Sequence, residues 1–464
     1  MCASRESSPT AGPVRPDPLA RPAAAVTVPG GLPLLGHLPA MLSRPLAFLD
    51  TLPAHGDPVR IRVGPRELYV VSGPESTHRV LTDRATFDRT GPLYGKIRAF
   101  LGNGLASCPH ADHRRLRRIV QPAFRRALLP HYAAAMTAEI EQLAAHWRPG
   151  QTVDVTRQAF RLTTAVAVRT LFSSALDAPA AERLRDALDV LLRGLYLRVV
   201  LPGADLLPTR SRRTYRQALH AWHTGVAEII ADYRARGIDR GDVLSLLIAA
   251  RDEDGQPLDE RELADQVATL VLAGAETTSS ALAWALRLVA EHPEVERKLH
   301  AELDALGAGT AAAGWDDLPQ LPYAARVIDE TLRLRPPAWA ISRSTTRPTE
   351  LGGVRLPAGA LVVCCLYLLQ RRPELFPDPT RFDPDRFAAD AVPREAYLPF
   401  GAGATKCLGD RFGAVEATLA LASIARRWRL RPATAAPVRP APRLVLSPGP
   451  QPMLLTERVG APAR

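Results

Sequence analysis

Apolar residues change their spacing along this chain. Pro58 to Val63 and Glu67 to Val71 are short β-rich runs on either side of Gly64-Pro65, which predicts two strands and a turn. From about Asp112 the spacing becomes helical and stays so for most of the next ~220 residues. It predicts helices near 112–127, 130–147, 155–174, 179–198, 211–236, 241–252, 260–291, 293–306 and 322–335. Val354-Arg355 and Ala360 to Cys365, split by Pro357-Ala358-Gly359, read as a hairpin. Arg371 to Pro399 reads as an irregular meander, and Gly409 to Trp428 as a last helix. Residues 1–28, rich in Pro and Ala, read as a disordered tail. No repeat or break in composition divides residues 29–464, so the pattern predicts one large, mainly α domain with small β-sheets, an α+β fold.

Composition narrows the class. The 464 residues are 46% hydrophobic and 23% charged, a globular balance. The most apolar window, LVLAGAETTSSALAWALRLVA, is interrupted by Glu276 and Arg287, and the N-terminus lacks the apolar core of a signal peptide. A soluble, cytoplasmic protein without a membrane anchor is expected. The net charge of +11 comes mostly from arginine. Without a zinc-finger or RRM pattern it argues for a basic face toward an acidic protein partner, not for nucleic acid. Five scattered cysteines make no disulfide framework, and no Cys-x-x-Cys or His-x-x-x-His pair suggests zinc.

Four segments carry candidate chemistry. In FGAGATKCLGDRFG, Phe400 to Gly413, Cys407 precedes a helix whose N–H groups and dipole favour thiolate. Gly401, Gly403 and Gly409 would give positive φ and let a flat partner approach the backbone. A haem fits that description, and an inert core cysteine is the competing reading. In AGAETTSS, Gly274 thins one face of the longest helix. The Thr277 hydroxyl can bond back to the Ala273 carbonyl, and Glu276 sits beside it, a set suited to relaying protons to bound oxygen. A water-satisfied polar stripe is equally compatible with that segment alone. In ETLRLRPP, Glu330 and Arg333 share a helix face, and Arg386 of FDPDRF can add a third arm. In HRRLRRIVQPAF, His113 and Arg117 can reach a pair of carboxylates from one face, while Arg114, Arg115 and Arg118 point elsewhere.

In this order and spacing, the four segments resemble the cytochrome P450 superfamily, the haem-thiolate monooxygenases, from about Pro29 to the end. The resemblance implies haem b (iron protoporphyrin IX) held between the long central helix and the cysteine loop. It makes Cys407 the iron ligand, with Phe400, Gly401 and Gly409 shaping the haem-binding loop, and His113, Arg117 and Arg343 the propionate ligands. Glu276 and Thr277 become the proton-delivery pair, and Glu330, Arg333 and Arg386 a structural triad. Two positions depart from the pattern: Thr405 stands where His or Arg usually binds a propionate, and Gln370 where His is common. The resemblance also implies O2 as oxidant, with NAD(P)H-derived electrons arriving through a ferredoxin or flavodoxin and its reductase. Arg114, Arg115, Arg118 and Lys406 are the expected docking surface of a monomer.

By the same resemblance Tyr94, Phe100, Leu195, Leu272, Gly274, Trp339 and Ile341 face the substrate. Arg98 and Arg193 are the only cations expected near them. That lining, and a likeness to actinobacterial members that oxidise sesquiterpenes, implies a terpene of secondary metabolism, with a macrolide or fatty acid as alternative. A peroxide-driven enzyme fits less well, since both Glu276 and Thr277 are present. A haem carrier gives no reason for a proton relay, and a terpene cyclase would need a third acid after Asp316-Asp317.

Overall fold

The computed structural model describes residues 24–172, 209–236, 241–307, 312–388, 392–434 and 444–458, with isolated positions between 183 and 198 and near 440. The helices are α1 (Leu38–Ser43), α2 (Pro45–Asp50), α3 (Pro74–Thr82), α4 (Gly91–Leu101), α5 (His110–Val120), α6 (Leu129–Ala145), α7 (Val155–Phe172), α8 (Arg210–Arg236), α9 (Val243–Ala249), α10 (Glu260–Glu291), α11 (Pro293–Ala305), α12 (Pro322–Leu334), α13 (Leu366–Leu369) and α14 (Asp410–Arg427). The strands are β1 (Val59–Val63), β2 (Arg66–Val71), β3 (Phe87–Asp88), β4 (Thr152–Asp154), β5 (Ile341–Thr345), β6 (Thr349–Leu351), β7 (Val354–Leu356), β8 (Leu361–Cys364), β9 (Trp428–Pro432), β10 (Ala441–Pro442), β11 (Leu446–Ser447) and β12 (Pro452–Glu457).

α10 is the axis of the fold. A capping box starts it, with the Asp259 carboxylate accepting from the Glu262 N–H and the Glu262 side chain from the Asp259 N–H. Its apolar faces then pack against α7, α12 and α14, which make the main core. In the largest sheet the order is β1-β2-β8-β5-β3, with β2 and β8 parallel and the other pairs antiparallel. The alternation Val59-Arg60-Ile61-Arg62 buries the two aliphatics and turns the arginines outward.

The helices after Asp112 stand where the spacing placed them, to within a few residues at most ends. The predicted helix 179–198 lies mostly outside the described residues. The predicted hairpin is corrected: β7 pairs with β6, and β8 joins β2 and β5 in another sheet. Gly352 and Gly353, with φ of 54° and 74°, supply the two-residue turn that β6 and β7 need. The tail boundary is corrected too. Ala25 and Val28 are buried, and the Val28 N–H donates to the Arg60 carbonyl at 3.0 Å, so packed chain begins before Pro29.

Candidate active site

Two glycines shape the cysteine loop. Gly401 and Gly403 have φ of 70° and 66°, and a Cβ on Gly403 would stand 3.0 Å from the Leu81 carbonyl oxygen. Gly409 does not share that conformation: its φ is −91°, and it is the N-cap of α14. The Cys407 N–H donates to the Phe400 carbonyl at 2.8 Å. The loop thereby borders a cavity of about 670 Å³, reached by Phe400, Gly401, Cys407 and Gly409.

Cys407 is surrounded by protein but open to the cavity. Burial pushes its thiol above the ordinary value, while the Gly409 N–H, Arg117 and Lys406 act in the opposite direction. The expected lowering is therefore reversed, because desolvation outweighs the helix terminus. Cys108, Cys364 and Cys365 are buried and pushed up to about 11, 12 and 12 by the same cause.

The charge bordering the cavity is all of one sign. Arg89, Arg117, Arg343 and Lys406 reach it, and no Asp or Glu does so among the described residues. Arg343 is buried, donating to the Tyr94 hydroxyl and the Thr405 hydroxyl at 3.1 Å each, and its Nε has no partner. Arg117 donates to the Lys406 carbonyl at 2.6 Å. The Lys406 ammonium turns away to Asp410, also at 2.6 Å. His113 is buried and held neutral, its pKa pushed down to about 3 by burial and by Arg89, Arg84 and Arg117. Arg89, which sequence reasoning missed, donates to the Leu105 carbonyl at 2.7 Å. A lone arginine after Phe87-Asp88 carries no spacing signal, so only its burial beside the cavity reveals it.

This end of the cavity suits an anionic group: Arg89, Arg117 and Arg343 have no acidic partner among the described residues, and of its four cations Lys406 alone is turned to an acid, Asp410. A haem fits: its propionates could meet Arg89, Arg117, Arg343 and His113, and Cys407 could reach its iron. Among the described residues no cluster of three or more His, Cys, Asp or Glu could hold a bare metal ion.

A profile of the cytochrome P450 family matches residues 27–455. The chain belongs to the cytochrome P450 family. It is 45% identical to cyclooctatin synthase of Streptomyces melanosporofaciens over 92% of this chain and 94% of that protein. It is 43% identical to pentalenene oxygenase of Streptomyces avermitilis, covering 90% and 93%. A third relative, cyclooctat-9-en-7-ol 5-monooxygenase of S. melanosporofaciens, is 42% identical over 96% and 99%. The protein is thus a P450 monooxygenase, whose cofactor is a haem with thiolate-ligated iron and which uses O2 and NAD(P)H-derived electrons through redox partners.

The cavity face of α10 in this P450 is the stripe Thr269, Leu270, Ala273, Gly274, Thr277, Thr278 and Ala281. The Thr277 hydroxyl donates to the Ala273 carbonyl at 2.6 Å, as its spacing predicted. Thr163 of α7 donates to the Ala275 carbonyl at 2.7 Å. Glu276 and Leu272 lie four apart on a different face and do not border the cavity. Leu272 belongs to the core, and Glu276 is half-buried. Tyr94, Trp339 and Ile341 do border it, with Ile97 in the place expected of Phe100. Phe100 turns instead toward Trp222, 6.5 Å between ring centroids. Leu195 and Arg193 lie outside the described residues. Arg98 is engaged by the Arg89 and Ser107 carbonyls.

The fold brings Glu330, Arg333 and Arg386 together. Arg333 grips Glu330 through two bonds of 2.7 and 2.8 Å, both side chains fully buried, and Arg386 Nε stands 3.6 Å from the same carboxylate. Gln370 is buried, donating to the Leu332 and Arg333 carbonyls and accepting from the Leu398 N–H, so it ties α12 to the approach of the cysteine loop. The expected basic docking surface is altered. Arg115 is paired with Asp252 and Glu262, Arg118 with Glu253 and Lys406 with Asp410.

Proposed function

We infer that this P450 oxidises a cyclic terpene, with a sesquiterpene hydrocarbon as the leading substrate. Electrons would come from a ferredoxin-type protein, and the enzyme would act as a cytoplasmic monomer. The observation that carries this reading is the division of the cavity. Its cations all belong to the one cluster around His113 and the cysteine loop, where the cofactor's two carboxylates would meet Arg89, Arg117 and Arg343 while Asp410 holds Lys406. Ile97, Ala273, Gly274, Ala338, Trp339 and Ile341 elsewhere offer contact but no charge. Such a surface gains about 25 cal/mol per Å² of apolar area it dries, and selects by shape. Two of the relatives carry names that specify an alkene or an alkenol, pentalenene and cyclooctat-9-en-7-ol, which agrees with an apolar, unsaturated substrate.

When bound, the haem supplies activation of O2 for insertion into a C–H bond, and a thiolate ligand favours O–O cleavage. Cys407 would hold the iron, and the cation in front of the sulfur would reverse the effect of burial on its thiol. Arg343, oriented by Tyr94 and Thr405, and Arg117, fixed by the Lys406 carbonyl, would bind propionates. Thr277 is the hydroxyl on the cavity face of α10, and it would hold and pass the proton that oxygen chemistry requires. Glu276, on a neighbouring face, would supply that proton from outside the cavity wall. Gly274 would leave room for substrate against the helix.

The test is a titration of the oxidised haem spectrum with sesquiterpene hydrocarbons and with fatty acids of similar carbon number. The terpenes are expected to shift it at lower concentration and to be turned over with surrogate ferredoxin and reductase. Tighter binding and turnover of fatty acids would overturn the substrate class. In parallel, Cys407→Ser is expected to remove the long-wavelength band of the reduced carbon monoxide complex, and a retained band would refute the ligand assignment.

A further inference from the structure

The chain between α4 and α5 lies hard against α10. A Cβ on Gly104 would stand 2.0 Å from the Thr269 hydroxyl oxygen and 2.5 Å from the Asp265 carbonyl oxygen, so this approach requires glycine. Two side chains of α10 hold the loop there. The Asp265 carboxylate accepts from the Asn103 N–H at 2.6 Å, and Gln266 Oε1 accepts from the Leu105 N–H at 3.0 Å. Gln266 is fully buried and does not border the cavity, and its amide nitrogen has no partner among the described residues. Burying an amide whose nitrogen bonds nothing is costly, and here the oxygen alone has a task.

That task bears on both ends of the site. Leu105 and Ala106 border the cavity, together with Thr269 and Leu270 of α10. The Leu105 carbonyl accepts from Arg89 at 2.7 Å, one of the cations at the cofactor end. Leu105 therefore has its N–H tied to α10 and its carbonyl tied to a cofactor cation, while the residue itself forms wall. An apolar cavity selects by shape, so the placing of that wall decides how a substrate lies in it.

We propose that Gln266 is a specificity-determining positioning residue. Its amide oxygen fixes Leu105, which sets the carbon that the substrate presents for oxidation, and the same bond steadies Arg89. Asp265 adds a second tie at Asn103. The proposal rests on oxidation of an apolar substrate in this cavity, and it holds for a terpene or a fatty acid alike.

Three variants test it. Gln266→Met keeps the length of the side chain and removes the acceptor. Gln266→Glu, held neutral by burial, keeps an acceptor and gives up only a nitrogen that bonds nothing. Gly104→Ala pushes the loop off α10 from the other side. The regioisomers formed from caryophyllene, or from pentadecanoic acid if fatty acids are the class turned over, are measured with surrogate ferredoxin and reductase. Gln266→Met and Gly104→Ala are each expected to change the regioisomer ratio about threefold or more, and Gln266→Glu to keep the parent's ratio. Haem transfer to apomyoglobin, which needs no substrate, is expected to be about threefold faster in Gln266→Met than in the parent or in Gln266→Glu. The carbon monoxide spectrum checks that each variant is a folded holoprotein, and Gly104→Ala carries the product test if Gln266→Met does not fold. A folded Gln266→Met or Gly104→Ala with the parent's product ratio overturns the proposal. So does a Gln266→Glu that behaves as Gln266→Met does, which would assign the effect to packing. If neither compound is turned over, haem transfer decides, and an unchanged rate in Gln266→Met overturns the proposal. Failure of caryophyllene alone counts against the terpene reading and not against Gln266.

Discussion

A threonine hydroxyl at position 405 redistributes the work of the groups around it. Thr405 cannot neutralise a carboxylate, but it accepts from Arg343 at 3.1 Å and so orients that guanidinium. Arg89, buried and bordering the same end of the cavity, supplies the missing positive charge from another part of the chain. A charge-assisted hydrogen bond is worth about 1.5–3 kcal/mol. Arg89→Leu is therefore expected to speed haem transfer to apomyoglobin by roughly tenfold or more, with Arg89→Lys intermediate. An unchanged transfer rate would show that Arg89 does not hold the cofactor. On α10, Thr277→Ala should keep the haem and substrate spectra while raising the peroxide released per NADPH consumed. An unchanged ratio with full product would remove Thr277 from proton delivery. That His113, Arg117 and Cys407 border the cavity was legible because each sits at a fixed offset inside a recognisable segment, and Arg343 because the family resemblance carried it. Arg89 was not, and Leu272 and Phe100 were placed on the wrong side because the apolar faces of α10 and α4 look alike in sequence.

At the scale of elements, the Glu330–Arg333 pair connects α12 to the irregular chain that follows β8. Arg333 also donates to the carbonyls of Gln370 and Pro379 at 2.8 Å each, and the Asp383 N–H donates to Glu330 at 3.0 Å. The Arg371–Pro399 meander is tied to the helices by this buried pair, by the Tyr397 hydroxyl on Asp329, and by Asp385 with Lys298 and Arg326. Removing one partner of such a pair costs about 3–5 kcal/mol, because the other charge is left buried. Glu330→Gln is expected to lower the thermal midpoint by several degrees and the yield of holoprotein with it. A midpoint within a degree of the parent would mean that the backbone carbonyls alone hold Arg333. The long helices were readable because a 3.6-residue period repeats over several turns. The β-structure was less so: β8 finds β2 almost 300 positions away, which no local pattern encodes, whereas the Gly352-Gly353 turn was a local signal passed over for the nearby Pro357-Ala358-Gly359.

The whole molecule carries a net charge of +11, but the pairing of that charge decides where an acidic partner can dock. Arg115 and Arg118, which the sequence pattern placed on the docking face, are tied to Asp252, Glu262 and Glu253 and can attract a partner only weakly. Arg125 and Arg126 are exposed and unpaired among the described residues, just after Phe124. The Phe124 ring meets Phe412 of α14 edge-on at 6.3 Å, so this pair of arginines stands beside the helix that follows Cys407. Arg114 and Arg411 are likewise exposed and unpaired. An acidic ferredoxin would be steered toward these four, and salt would screen the attraction over about 10 Å at 0.1 M. Arg125→Glu with Arg126→Glu is expected to slow electron transfer from such a ferredoxin about tenfold at low salt, with the gap narrowing as salt is added. The substrate-induced spectral shift should stay unchanged. Arg115→Glu, by contrast, should lower thermal stability through the loss of its two carboxylate partners, and leave transfer per folded molecule close to the parent's. Equal rates for the Arg125/Arg126 variant and the parent at low salt, or a larger transfer defect in Arg115→Glu, would move the docking face elsewhere.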